Sequence, residues 1–375
     1  MQEANHYRIF LSPPYQGGEE LKYLTKALES NWLAPGGIYV KQFEEKLKEI
    51  TNRKYCVALN SGTAAIHLAL KVLGVSAGDY IICQTFSFVA TANPIAYQGA
   101  FPIFIDSEKE TWNMDPELLE EAIIDLRKSN IRPKAIIYTH IYGNPAKVDE
   151  LINISEKYQI PIIEDAAEAL GASINKRSIG QFGVISILSF NGNKVITTSG
   201  GGALLTDDLY LSERALLLSN QARDEKKPYS HVEVGYNYRM SNISASLGMA
   251  QISHLGEWVN RKRRIFETYQ KINARRTIFY WTEDKLGIYS NRWLSVFLIE
   301  SMEKRDKIIE ALRNMRIESR RLWQPLHLLA IFKGQKSYIS GVANDLFTNG
   351  ICLPSGVGLK NEEQDEIIQL IKSIN

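Results

Sequence analysis

Lys194 ends the hexapeptide SFNGNK, residues 189–194, just where the strand-like run ISILSF gives way to TTSGGG. A lysine at the mouth of an apolar crevice is desolvated. Its pKa falls, and the free amine can condense with an aldehyde. Two other stretches have complementary chemistry. NSGTAAIHLAL, residues 60–70, joins a small glycine-containing turn to an alanine-rich helix, whose first amides and dipole offer a seat for a phosphate. Ser61 or Thr63 acting only as helix caps is the plainer reading. PIIEDAAEALG places Glu164 and Asp165 at the end of an apolar run, where a carboxylate either caps the next helix or holds a cationic group. Phosphate turn, acid, then lysine 29 residues after Asp165 is an order that fits an aldehyde cofactor with a phosphate and a protonatable ring nitrogen. Pyridoxal phosphate has those features, and its ring needs an acidic partner.

The elements that must position these groups are legible as short runs rich in Val, Ile, Phe and Tyr: YCVALN, YIICQ, FPIFID, AIIYTH, PIIED, ISILSF and GALLT. They lack the alternation of half-exposed strands and read as strands buried on both faces. Helical spacing over Thr63–Val72, Pro116–Lys128 and Val148–Tyr158 separates several of them. Strand and helix in alternation predict an α/β fold, a mostly parallel sheet flanked by helices, with ligands at the carboxyl ends of the strands. From about Tyr236 the pattern changes. One long helix through ASLGMAQISHLGEWVNRKRRIFETYQKI, the strand-like WLSVFLIE and a helix near Glu303–Met315 predict a smaller α+β domain. The expected division is a large domain over 1–245 and a smaller C-terminal one over 246–375. DEKKPY, residues 224–229, is the expected mobile surface loop, placed to edge the site.

Composition narrows the function classes. There are 44 Lys+Arg against 42 Asp+Glu, a formal charge of +2, and the charges are interspersed, which argues against a nucleic-acid groove. Three scattered cysteines, Cys56, Cys83 and Cys352, suit buried thiols in a reducing compartment. No stretch reaches the roughly 18 apolar residues of a membrane span, so a soluble cytoplasmic protein without membrane or metal is the expectation.

NSGTAAIHLAL, TFSFVATANPI, PIIEDAAEALG, SFNGNKVITTSGGGALLTDD and GYNYRMSNISASLGMAQ resemble the DegT/DnrJ/EryC1/StrS family of sugar aminotransferases, fold-type I enzymes that use pyridoxal phosphate. The likeness runs from IFLSPP at residue 9 to ICLPSG at residue 351. It implies an aspartate-aminotransferase-like fold with pyridoxal 5'-phosphate held covalently on Lys194 and its pyridoxamine form as an intermediate. By position, Asp165 would pair with the ring nitrogen, Gly62, Thr63 and Ser189 would grip the phosphate, and Phe88 would stack on the ring. Glu168 would stand beside the cofactor or simply follow the helix dipole. Asn237 would reach the cofactor phosphate of a second subunit, making the working unit a homodimer. Trp32, Pro35, Tyr142, Arg239, Trp323 and His327 would lie near a nucleotide-sugar substrate. Each of these also has an ordinary reading as packing or as a surface residue.

Within the family, NWLAPGG, DSEKETWNMDP, SFNGNK and RLWQPLH are similar to transaminases making UDP-N-acetylbacillosamine or related 4-amino sugars. Many members have SFHPxK and GEGG where this chain has SFNGNK and SGGG. Gln324 replaces a lysine that some relatives carry, which removes a point charge from the diphosphate side, while Arg239, Arg320 and Arg321 remain as cations. The implied reaction moves an amino group from glutamate to the C4 ketone of a nucleotide-linked 4-keto-6-deoxy sugar, with a dTDP-sugar 3- or 4-aminotransferase as the alternative. A 3-dehydratase of this fold would have histidine at position 194. A desulfurase would need a loop cysteine. A non-enzymatic regulator or scaffold is the reading from a different class.

Overall fold

The computed structural model describes residues 7–374 apart from 225, 228 and 274–278. The seven apolar runs form strands β1 Tyr55–Leu59, β2 Tyr80–Gln84, β3 Phe101–Ile105, β4 Ala135–Thr139, β5 Ile162–Asp165, β6 Ile185–Ser189 and β7 Gly202–Thr206. Together with Ser337–Tyr338 they build one eight-stranded sheet in the order β1, β7, β6, β5, β4, β2, β3, then 337–338. Residues of β4 and β7 are buried throughout, as runs without alternation require when helices cover both faces.

Strand direction follows from the connections. The links β2 to β3, β2 to β4, β4 to β5 and β5 to β6 are parallel pairings. Only β7 runs the other way, antiparallel to both β6 and β1. Residues 190–201 return the chain from β6 to β7 without a crossover helix, and β7 pairs antiparallel, as a helix-free return suits. Because β7 reverses twice, β1 again points with the parallel strands. The carboxyl ends of β1, β2, β4, β5 and β6 therefore open on one edge.

The helices begin and end where local chemistry dictates. Pro116–Lys128 starts behind Asp115, whose carboxylate accepts from the Glu117 and Leu118 amides, with proline in the first turn and Arg127 and Lys128 in the last. The single long helix expected after Tyr236 is instead two, Asn242–Ile252 and Leu255–Gln270. They pack against different partners. The first is buried on several sides between the helices Glu20–Glu29 and Ile38–Thr51, and a Cβ on its Gly248 would meet the Phe43 ring at 2.8 Å. The second buries one stripe, including Trp258, Val259, Ile265, Phe266 and Tyr269. A break at Ser253 and His254 lets the chain turn from one environment to the other.

In the C-terminal part, Ser295–Ile299 and Gly350–Leu353 pair antiparallel in a four-stranded sheet over a core containing Phe297, Ile308, Leu312, Ile351 and Ile367. Ile9, from the other end of the chain, belongs to that core, and Ser337–Tyr338 crosses back to extend the large sheet beside β3. All three cysteines lie in strands. Cys83 and Cys352 are buried, and Cys56, near the start of the edge strand β1, is half-buried. Glu225 and Pro228 of the expected surface loop lie outside the described residues. Tyr229 of that loop is almost fully exposed, at 96%. Among the described residues no helix is long and apolar enough to cross a membrane.

Candidate active site

A cavity of about 380 Å³ opens at the shared carboxyl edge of the strands. Its floor comes from the turn after β1. Ser61 is extended, and its hydroxyl accepts from the Ala64 amide at 3.0 Å, so Ser61 is the cap of the helix Gly62–Val72. The plainer reading thus holds for Ser61, while Gly62 and Thr63 keep first-turn amides that an α-helix cannot pair internally. Both line the cavity, as does Ser189 at the end of β6. The turn fits only because β7 starts with glycine: a Cβ at Gly202 would come within 2.4 Å of the Gly62 nitrogen.

Lys194 enters this cavity from the SFNGNK turn, where its backbone amide donates to the Asn191 carbonyl at 3.0 Å. Its side chain is 13% exposed. The Nζ stands 3.7 Å from Glu168 Oε1 and 3.9 Å from the centre of the Trp293 ring. Burial pushes the amine below its ordinary pKa, opposed by the charges of Glu168 and then Asp165. A lysine so placed gives up its proton more readily than one in water, as nucleophilic or proton-transfer work requires.

Asp165 ends β5, with its carboxylate buried against the cavity. One oxygen accepts from the Thr91 hydroxyl at 2.8 Å and the other from the Ala167 amide at 3.2 Å. Ser87, four residues before Thr91, is 2.7 Å from the Thr91 hydroxyl oxygen and fixes its rotamer. Burial raises the Asp165 pKa, and the hydrogen bonds from Thr91 and Ala167 offset this only in part. Its neighbour Glu164 points to the other face of the sheet. There it accepts from the Gly180 and Phe182 amides and lies 3.0 Å from His140 Nε2, a structural clamp under the sheet.

Glu168 is buried beside Lys194, and its Oε2 accepts from the Tyr142 amide at 2.6 Å. Burial pushes its carboxyl up from 4.5 to about 7, with Lys194 pulling the other way. Between those values the folded protein holds a proton that the unfolded chain has released, so this group makes stability fall as pH rises through that window. Glu168→Gln cannot titrate yet still accepts from Tyr142. It is expected to flatten the fall of Tm between about pH 5 and pH 7, and an unchanged slope in thermal melts across that range would refute the assignment.

The cavity brings together Gly62, Thr63, Phe88, Asp165, Glu168, Ser189, Lys194 and Trp323 of the residues singled out in the sequence. Phe88 is half-exposed at the rim, with its ring centre 5.4 Å from that of Trp323. The others stand off it. Tyr142 is buried just behind the wall in a left-handed conformation (φ 53°), and its hydroxyl accepts from the Trp323 amide at 3.0 Å. His327 lies behind β2, with Nδ1 2.7 Å from the Thr85 hydroxyl. Arg239 pairs with Glu44 at 3.2 Å. Trp32 and Pro35 form an exposed corner in which the indole donates to the Pro35 carbonyl at 3.2 Å. Asn237 is exposed, and its carbonyl accepts from the Asn60 side chain at 3.2 Å. Arg320 and Arg321 are exposed and paired with Glu318 and Asp306.

Thr91 and Trp293 are among the wall residues that the sequence reading did not single out. Thr91 lies inside the quoted TFSFVATANPI, and its i, i+4 spacing from Ser87 was the available signal. Trp293 had none, since it comes from a segment 99 residues beyond Lys194 and reads as the start of a strand. A phosphate-bearing cationic ring fits this cavity. Asp165 is a buried carboxylate whose hydrogen-bond partners are neutral, and the Thr139 hydroxyl is buried in the wall without a partner among the described residues.

A profile of the DegT/DnrJ/EryC1/StrS aminotransferase family matches residues 14–372. Over 371 residues the chain is 44% identical to the "Putative pyridoxal phosphate-dependent aminotransferase EpsN" of Bacillus subtilis, covering 98% of this chain and 95% of that one. It is 36% identical over 366 residues to a GDP-perosamine synthase of Escherichia coli O157:H7, covering 97% of each. The solved PLP-form of Spr1654 from Streptococcus pneumoniae superposes with a TM-score of 0.89 at 29% identity over 97% of each chain, and its PMP-form also gives 0.89.

Proposed function

The chain belongs to the DegT/DnrJ/EryC1/StrS aminotransferase family of pyridoxal-phosphate-dependent sugar aminotransferases, and on that premise we propose that it carries an amino group from glutamate to the C4 ketone of a nucleotide-linked 4-keto-6-deoxy sugar. The observation that supports this most directly is a desolvated lysine and a buried aspartate facing one cavity above a helix N-terminus. The cofactor, when bound, supplies an aldehyde that accepts and yields the amino group and a ring that withdraws electrons. Amides of Gly62 and Thr63 and the Ser189 hydroxyl would bind its phosphate. Asp165, oriented by Thr91, would keep a proton on its ring nitrogen. Lys194 would hold the cofactor at rest and then, as a free amine, carry a proton between the substrate carbon and the cofactor. Glu168 sets the charge balance beside that amine. Two subunits would complete each site, with Asn237 reaching from its exposed position into the neighbour's cavity.

Of the possible sugars, UDP-2-acetamido-2,6-dideoxy-4-keto-glucose is the first choice, because NWLAPGG, DSEKETWNMDP and SFNGNK are similar to the bacillosamine-type enzymes. A GDP-linked keto sugar is the second, favoured by the relative named for GDP-perosamine. The purified protein is to be given glutamate with the UDP-, GDP- and dTDP-linked 4-keto-6-deoxy sugars in turn, and the amino sugar followed by mass. Product from the UDP compound alone is expected. Product only from the GDP or dTDP compound would move the nucleotide assignment and leave the family intact.

A further inference from the structure

Behind the cavity lies a second buried amine. Lys262, on the helix Leu255–Gln270, is 1% exposed. Its Nζ meets three oxygens on three distant segments: the Trp293 carbonyl at 3.0 Å, the Ser355 carbonyl at 2.9 Å and the Ser12 hydroxyl at 3.2 Å. Carbonyl and hydroxyl oxygens can all accept, so the three oxygens match the three N–H bonds of the lysine head, one each. Burial pushes the Lys262 pKa down to about 7, and no acidic group among the described residues opposes it. Methionine would fill the same space without burying a polar head. The amine is thus spent on holding backbone, and the backbone it holds carries Trp293.

Trp293 is fixed at three points. Its indole N–H donates to the carbonyl of Asn193, the residue before Lys194, at 2.7 Å. The Trp293 amide donates to Asn291 Oδ1 at 2.9 Å, and Asn291 in turn donates to the Glu168 and Leu170 carbonyls. Lys262 takes the third point, the carbonyl. The ring so held is the face against which the Lys194 amine rests. Lysine is a flexible four-carbon stem, and an aromatic face both limits where its head can go and favours it when protonated.

We propose that Lys262 is a positioning residue for amino transfer: its hydrogen bonds to the Trp293 and Ser355 carbonyls lock the Trp293 indole against the Lys194 amine. This rests on Lys194 being the amine that works. The test uses the full-length protein in a cycle of Lys262→Met, Trp293→Leu and the double variant. The readouts are kcat and KM for glutamate, and the rate at which cofactor-stripped protein captures added pyridoxal phosphate, followed by visible absorbance. Each single variant is expected to slow capture and kcat on the order of tenfold, with KM for glutamate within about twofold and no further loss in the double variant. Wild-type rates in folded Lys262→Met, or losses that multiply in the double variant, would overturn the proposal. If Lys262→Met does not fold by circular dichroism, Lys262→Gln replaces it. That change must slow capture by about threefold when Trp293 is present and not at all in the Trp293→Leu background; an equal effect in both backgrounds rejects the coupling. Failure of the premise is read separately, from covalent capture of cofactor by Lys194→Ala.

Discussion

Lys194→Ala is expected to end amino transfer, with a fall of at least about a thousandfold, within the range for loss of a positioned general base, and with a covalent anchor lost as well. Cofactor should still bind. The Gly62 and Thr63 amides, Ser189 and Asp165 belong to other parts of the cavity and do not depend on the lysine. Borohydride reduction followed by digestion and mass spectrometry is the direct check. In the wild type, the peptide containing Lys194 should carry the cofactor mass, and in the variant no peptide should carry it stoichiometrically. The surroundings give this lysine its reactivity: 13% exposure, a ring centre 3.9 Å away and a carboxylate at 3.7 Å. A variant that still turns over, or that is still reduced onto one lysine, would mean that another amine does the work.

Asp165→Asn is expected to cost on the order of a hundredfold to a thousandfold in kcat, the scale of a few kcal/mol for one close charge interaction at an effective dielectric near 20. Asparagine keeps the shape: its one oxygen can still accept from the Ala167 amide while its NH2 group donates to the Thr91 hydroxyl, so folding should survive. What it lacks is the negative charge. In the cofactor-free cavity burial holds the Asp165 pKa up, and a protonated ring nitrogen opposite it would reverse that by supplying the missing cation. The variant should therefore bind cofactor more weakly and lose the protonated-ring signature in its absorbance spectrum. Near-normal kcat would show that charge at this position is dispensable.

Of the fold, the large sheet was the part that sequence expressed most fully. Strands buried on both faces leave an unbroken apolar run, and all seven runs became strands. The site was legible for a related reason. The Gly62–Thr63 turn, Asp165 and Ser189 each end such a run or open the next helix, Lys194 follows in the turn after Ser189, and parallel strands carry their ends to one edge. The helix break at Ser253 and His254 was not legible, because local spacing remained helical on both sides and the turn comes from a change of packing partner.

By itself, then, the order of residues determined which groups stand at the strand ends: Gly62 and Thr63, Asp165, Ser189 and Lys194. These are fixed by local periodicity and by turns that only certain residues allow. Tertiary structure alone decided what surrounds them. Trp293 reaches Lys194 from 99 positions away, Lys262 reaches Trp293 from another helix, and Glu168 is turned toward the amine rather than out to solvent. Desolvation and charge pairing depend on what lies within a few ångströms in space, and distance along the chain carries no record of that.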